Sequence, residues 1–414
     1  MTVELGDTDP TPTPPQGEGH DPLLRAEDIR SSVSRKAAIL GLAATIAGCA
    51  PVAQRFAERA EAVPAPNGAM PELRLLERAG FGPRPGDLAR AHEIGREALV
   101  EKLLAADEGE SARLNLLLSR VDALHMDSME LLDIPKERVL EGLRAAAILR
   151  ATYGANPLHE RMTEFWADHL NVYARKDDAA FRLGADLEGV ARKHALGSFP
   201  KMIWASMDSS AMIGYLDNDR NEKSHPNENY ARELLELHTL GVDGGYSQRD
   251  VMEVARCLSG WTIEKRFLRP KGRMRFDETQ HDDGEKVVLG HRISAKGGET
   301  DIKAVWKIVC EHSATAHHVA RKLVKRFVGD APALQARVER AFADSKGDVR
   351  SCLRPILESK EIAEGAPLLR RPFDLVVASL RATDADTDGG PALQDHVRTM
   401  GQPSYEWPMP DGYP

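Results

Sequence analysis

Cysteine is scarce in this chain of 414 residues: Cys49, Cys257, Cys310 and Cys352 are all there is, and no two of them form a CxxC pair. That excludes a disulfide framework and a zinc ribbon. Beyond Cys49 it leaves at most one disulfide, and the default for the other three is a free, buried thiol. A basic excess is missing too. Lys and Arg number 55 against 64 Asp and Glu, a net charge of -9, so no broad positive field awaits nucleic acid, although residues 265–271 are locally basic. No apolar run approaches the roughly twenty residues that span a bilayer. The chain also lacks GxSxG, a P-loop, HExxH and CxxCH. Standard serine-hydrolase, nucleotide-dependent, zincin and c-type cytochrome chemistries are therefore set aside.

What is present begins with the N-terminus. Residues 1–36 are rich in Pro, Gly and charge and read as a disordered n-region ending in Ser34-Arg35-Lys36. The apolar stretch 37–49 follows and closes on small residues at Cys49, the pattern of a signal peptide. Ile46-Ala47-Gly48-Cys49 resembles a bacterial lipobox, which implies acylation of Cys49, a membrane anchor through that lipid, and a protein exported to the periplasm or cell surface. Arg35-Lys36 resembles a twin-arginine signal with Lys at its second position. Residues 50–68 read as a linker.

From residue 69 to 414 the chain reads as one large, mainly α, bundle-like domain. Apolar residues recur three and four apart in most windows, and segments such as 96–104 are strong helix formers. The spacing predicts helices near 71–80, 86–94, 110–130, 137–152, 156–173, 177–194, 227–240, 247–261, 299–312, 314–328, 332–344, 348–358 and 370–383. Ser247 with Asp250 forms a capping box before the 251–261 stretch, and Gly241 with Gly244 and Gly245 ends the preceding helix. Between 263 and 296 the helical period fails. There Arg273-Met274-Arg275-Phe276 and Lys286-Val287-Val288-Leu289-Gly290 flank Asp282-Asp283-Gly284, which predicts a β-hairpin interrupting the bundle.

The densest chemistry lies in residues 227–238. On a helix with Glu228 at 0°, Arg232 falls near about 40°, Glu236 near about 80° and Glu233 near about 140°, one polar stripe opposite Leu234, Leu235 and Leu237. Three carboxylates on one face repel unless a cation or further basic groups neutralise them. His238 turns to the apolar side. The preceding loop places oxygens at Asp217, Asp219 and Asn221 and ends at Glu228, the spacing of a calcium loop. Glu222 stands where such a loop needs Gly, and Pro226 breaks its path. Asn227 is a helix cap in the plainer account. His169 shares a helix face with Phe165 and Trp166, so it too points inward, and two inward histidines on separate helices are how bundles build metal sites. His281-Asp282-Asp283-Gly284 offers a proton-transfer group or a turn. His194 reads as a helix C-terminal cation, and His317-His318 as part of a solvated basic face.

Glu77-Arg78-Ala79-Gly80-Phe81-Gly82-Pro83, Phe165-Trp166-Ala167-Asp168-His169, residues 192–199, 227–241, 258–262, His281-Asp282 and Gly401-Gln402-Pro403 together resemble the bacterial domain-of-unknown-function 1800 family. The resemblance covers about residues 70–414. It implies an exported, mostly helical protein, often encoded beside a partner resembling the sulfatase and alkaline phosphatase superfamily. It supplies no reaction. Relatives usually continue into a further helical segment, so it also implies a shortened C-terminus here.

Two functions follow as expectations. One is a metal-dependent hydrolase acting outside the cytoplasm, with a divalent metal on His169, Glu236 and His238, recruiting Glu228, Glu233 and Asp217 for a harder ion. Carboxylate with imidazole suits zinc, iron or manganese, and an oxygen-only loop suits calcium. Glu233 would act as general base, Arg232 would orient an anionic group, and His281 would transfer a proton. The other is a noncatalytic lipoprotein that binds or scaffolds a partner enzyme or surface polymer, its polar cluster a structural ion-pair network. A deep polar pocket holding His169 and His238 favours the first; carboxylates closed onto arginines favour the second.

Overall fold

A computed structural model describes residues 70–105, 109–264 and 272–414. The expected n-region, signal segment, Cys49 and linker lie outside the described residues. Within them the chain is mainly α, with two small antiparallel ribbons. No helix there is long and apolar enough to cross a membrane.

The helices run in the order α1 (Pro71–Ala79), α2 (Asp87–Leu104), α3 (Ala112–Leu118), α4 (Lys136–Tyr153), α5 (Pro157–His169), α6 (Ala179–Asp186), α7 (Phe199–Met207), α8 (Ser210–Tyr215), α9 (Asn229–Glu233) and α10 (Gln248–Leu258). After the ribbons come α11 (Glu299–Glu311), α12 (Ser313–Phe327), α13 (Pro332–Ser345), α14 (Val349–Leu357), α15 (Lys360–Glu364), α16 (Pro372–Thr383) and α17 (Pro391–Thr399). Their starts obey the capping rules. Asn156 accepts from the N–H groups of Leu158 and His159 ahead of α5, Ser198 caps α7, Ser209 caps α8, and Ser247 with Asp250 makes the expected capping box of α10. Gly95, at φ 78°, kinks α2 where the periodicity alone predicts a stop.

Two helices end in wide π-turns, α6 through Leu187–Arg192 and α9 through Leu234–His238. π-turns cluster at functional positions because they displace side chains and free carbonyls.

The interruption near 263–296 differs from the expected single hairpin. β1 (Trp261–Ile263) pairs with β2 (Met274–Phe276), and β3 (Lys286–Val288) pairs with β4 (His291–Ile293). Leu289 and Gly290, at φ 49° and 79°, supply the two positive-φ positions of a tight hairpin turn, so β3 folds onto the strand that follows it. Asp282-Asp283-Gly284 instead closes on itself, with the Gly284 N–H donating to Asp282 Oδ1. The 110–130 window is one short helix and 3₁₀ turns, while α7, α8, α15 and α17 lie where no helix is expected from periodicity.

Apolar side chains gather into two clusters. The larger runs from Leu75 through Trp166, Phe199 and Leu258 to Ile362; the smaller joins Phe81, Ile148, Ala151, Phe373, Val377 and Val397. Cys257, Cys310 and Cys352 are free and buried, and burial pushes each thiol up to about 12.

Candidate functional site

At the seam between the two apolar clusters lies a cleft of about 110 Å³. Its walls are α4, α5, the π-turn after α6, the start of α16 and the segment 402–413. Helix α5 gives it a ladder: Glu160, Glu164 and Asp168 recur every four residues and so share one face, with Thr163 and Ala167 between them. Phe81, Phe373, Tyr405, Trp407 and Tyr413 supply aromatic lining. The Trp407 and Tyr413 rings meet edge to face at 5.4 Å.

Each rung of the ladder is met by arginine. Glu160 takes both guanidinium arms of Arg192, at 2.7 and 2.9 Å, and Arg192 and Arg150 share Glu110. Burial opposes the Glu160 charge, but His159 and Arg192 hold its carboxyl down at about 2. Glu164 accepts through Oε2 from Arg161 at 3.0 Å and Arg326 at 2.9 Å. Asp374 completes that knot with the same two arginines. Asp168 accepts from Arg371 at 2.9 Å and from the Tyr413 N–H at 2.7 Å, yet burial raises its carboxyl above the ordinary range.

Two polar atoms of the cleft have no hydrogen-bond partner. Trp407 Nε1 is a buried donor and Glu164 Oε1 a buried acceptor, the latter 3.8 Å from Arg371 and beyond hydrogen-bond reach. An unpaired buried donor or acceptor costs roughly 1–3 kcal/mol until something bonds to it.

The segment 402–413 is tied down along its length. Asn171 donates to the carbonyls of Trp407 and Met409, the Tyr215 hydroxyl donates to Pro408, and the Ala174 N–H donates to Tyr405. Tyr405 sits at φ 64°, a position a bulky residue rarely adopts.

The histidines gather at the C-terminal end of α5, whose last residue is His169. His169 and His238 come together as expected of two inward imidazoles, with ring centroids 6.3 Å apart, and His318 of α12 joins them at 6.1 Å from His169. His169 Nε2 lies 3.1 Å from the His238 carbonyl and His318 Nε2 3.1 Å from the Leu237 carbonyl, both freed by the π-turn. Carbonyls only accept, so both rings carry the proton on Nε2. His169 Nδ1, His318 Nδ1 and both nitrogens of His238 are buried without a partner. Burial, with nearby Lys322 and His318, lowers His238 to about 3, and burial with Lys322 brings His318 to about 4. Lys322 itself is drawn down by burial to about 8 against the pull of Asp168 and Asp411. His318 therefore departs from the solvated basic face expected of it; His317, its neighbour, faces out to Glu339.

The remaining candidates are dispersed. Glu228 pairs with Arg232 at 2.8 Å and accepts from Gln248, while Glu236 stands 3.5 Å from Arg232. Burial and Glu236 raise the Glu233 carboxyl. Asp217 is held by Lys176 at 2.7 Å, and Asn221 spends its side chain on Ala255, Asn218 and the Asn227 N–H. These polar side chains of the 217–228 loop are thus spent on protein partners, and the Asn229 N–H donates to Asn227 Oδ1 one residue ahead of the N-cap position, which Glu228 holds without a side-chain cap bond. His281 lies apart in a buried cluster with Asp301 and Lys286. Among the described residues no three His, Cys, Asp or Glu side chains are grouped to hold a metal ion.

Sequence reasoning passed over Glu160, Glu164, Asp168 and Trp407. The four-residue carboxylate spacing on an otherwise apolar helix was the available signal.

A family model described as "Protein of unknown function (DUF1800)" matches residues 74–414. No curated protein and no solved structure matches the chain.

Proposed function

The chain belongs to the DUF1800 family, and we propose that it is a noncatalytic binding protein, exported and lipid-anchored at Cys49, whose cleft holds a sugar unit of a surface polymer. The observation that carries this reading is the unpaired Trp407 Nε1 donor and Glu164 Oε1 acceptor in one aromatic-lined cleft. A hydroxyl both donates and accepts, so a polyhydroxylated ligand satisfies both atoms while its ring faces pack on Trp407 and its aromatic neighbours. Binding is preferred over catalysis because the carboxylates Glu160, Glu164 and Asp168 are each closed onto an arginine, which leaves no carboxylate free to act as an acid–base pair. The sulfatase- or phosphatase-like partner implied by the resemblance is, in this reading, the enzyme to which the held polymer is presented.

Tryptophan fluorescence during titration with neutral glycan fragments tests it. The Trp407→Phe variant keeps an aromatic face, though a smaller one, and loses the donor, and should bind about tenfold more weakly, the value of one hydrogen bond. Equal affinity in the variant, or no binding of any neutral glycan, overturns the reading.

A second reading, the metal-dependent hydrolase, rests on the approach of His169 to His238 with bare ring nitrogens. Glu236 lies with Arg232 instead. Metal content of the chain against a His169→Ala, His238→Ala double variant decides it: one equivalent of transition metal, lost in the variant, would make the hydrolase primary, and no bound metal leaves the binding protein.

A further inference from the structure

Lys286, Asp301 and His281 form a cluster that neither reading above uses. All three side chains are about 1% exposed or less. Lys286 Nζ is 2.6 Å from Asp301 Oδ2 and also donates to the Asp282 carbonyl. His281 Nε2 stands 3.3 Å from the same Oδ2, and its Nδ1 lies 2.8 Å from the Ser259 carbonyl. That carbonyl can only accept, so Nδ1 carries a proton, and Nε2 is the ring nitrogen that faces the carboxylate oxygen and can pass a proton to it. Asp301 Oδ1 has no partner. A side chain at Gly297 would strike it at 1.9 Å, so glycine there lets the turn close over the carboxyl. The Phe276 ring lies edge-on to His281 at 5.0 Å and helps exclude water.

We propose that Lys286 and Asp301 become joined by an amide, a covalent staple between the β3–β4 ribbon and α11. The bond that forms is Nζ–Cγ, and the one that breaks is Cγ–Oδ2. Of the three ammonium protons, one stays on the amide nitrogen and two leave with Oδ2 as water. The first crosses directly from Nζ to Oδ2, freeing the lone pair to attack Cγ. The second reaches the departing oxygen through His281 Nε2, which ends as it began. No oxidant or co-reactant is needed. Two features favour the product. A buried ion pair, whose desolvation its own attraction repays poorly, becomes a neutral amide, and once the released water has escaped to bulk solvent the closed pocket slows its return. The remaining Oδ1 changes from an unpaired carboxylate oxygen to an amide oxygen, which is less costly to bury. Among the described residues the cysteines are all free, so this staple fills the place of a disulfide in a chain read as working outside the cytoplasm.

The test is peptide mapping by mass spectrometry of the full chain. Trypsin acting on the stapled protein should leave the bond after Lys286 uncut and release residues 276–292 and 297–303 as one branched species, lighter than their sum by one water. Cleavage after Lys286, with residues 297–303 appearing alone at full mass, would overturn the proposal on the wild-type chain, whatever the variants do. Lys286→Arg should lose the branched species. His281→Gln should retain it in only a small fraction of molecules, and full linkage in that variant would overturn the role given to His281.

Discussion

Gly412 is where one residue does most to position the cleft. Its φ is 81°, and a Cβ there would come within 2.1 Å of the Asp168 carbonyl oxygen. The chain can pass so close to the end of α5, and put the Tyr413 N–H on Asp168, only with glycine. Gly412→Ala should therefore destabilise the protein by about 1–3 kcal/mol and weaken ligand binding together, read by urea unfolding and glycan titration. Loss of neither would mean the 402–413 segment does not shape the cleft. At this scale the sequence was partly legible. The inward turn of His169 follows from Phe165 and Trp166 three and four residues before it. The inward turn of His318 does not, because adjacent residues differ by about 100° and nothing local says which of His317 and His318 faces the core. The partners of Glu160, Glu164 and Asp168 were hidden for a different reason: Arg192, Arg326 and Arg371 come from remote parts of the chain, and without them the carboxylates look like a solvated edge.

The two π-turns make elements out of what periodicity reads as plain helix. The one after α6 carries Arg192 against Glu160 of α5, and removing one side of that buried pair leaves the other charge stranded. Glu160→Gln should cost about 3–5 kcal/mol in urea unfolding; a cost under about 1 kcal/mol would show that the pair is not the clamp between these elements. The π-turn after α9 carries His238, packed with His169, His318 and Lys322 facing it. Its imidazole is lowered from 6.5 to about 3, so the unfolded chain takes up a proton that the folded chain refuses. The stability this neutral histidine contributes is present above pH 6.5 and is lost as pH falls toward 3. His238→Phe should flatten that decline in the thermal midpoint, and an undiminished decline would assign it elsewhere. The helix periods are visible because each helix buries one face. The wide turns are not, since they answer to what packs against them, and the paired ribbons follow from Leu289-Gly290 rather than from the more conspicuous Asp-Asp-Gly.

Across the whole molecule, the cleft exists because two apolar clusters meet without merging, and charged side chains line their seam. The mainly α class and most helices were readable from spacing. The seam was not, since it sets the adjacent helices α4 and α5 against α16 and the 402–413 segment, which lie far along the chain from them. The stripe at 228–236 drew attention as the densest charge in the sequence, yet Glu228 and Glu236 both turn to the partly exposed Arg232. The unpaired groups that line the cleft lie elsewhere, at Trp407 and Glu164. The most direct test of the binding account is therefore the affinity of the full chain for a panel of neutral surface-glycan fragments, measured beside Trp407→Phe. Saturable binding that weakens about tenfold in the variant is the predicted result. Binding that is unaffected by Trp407→Phe, or absent across the panel, would contradict it.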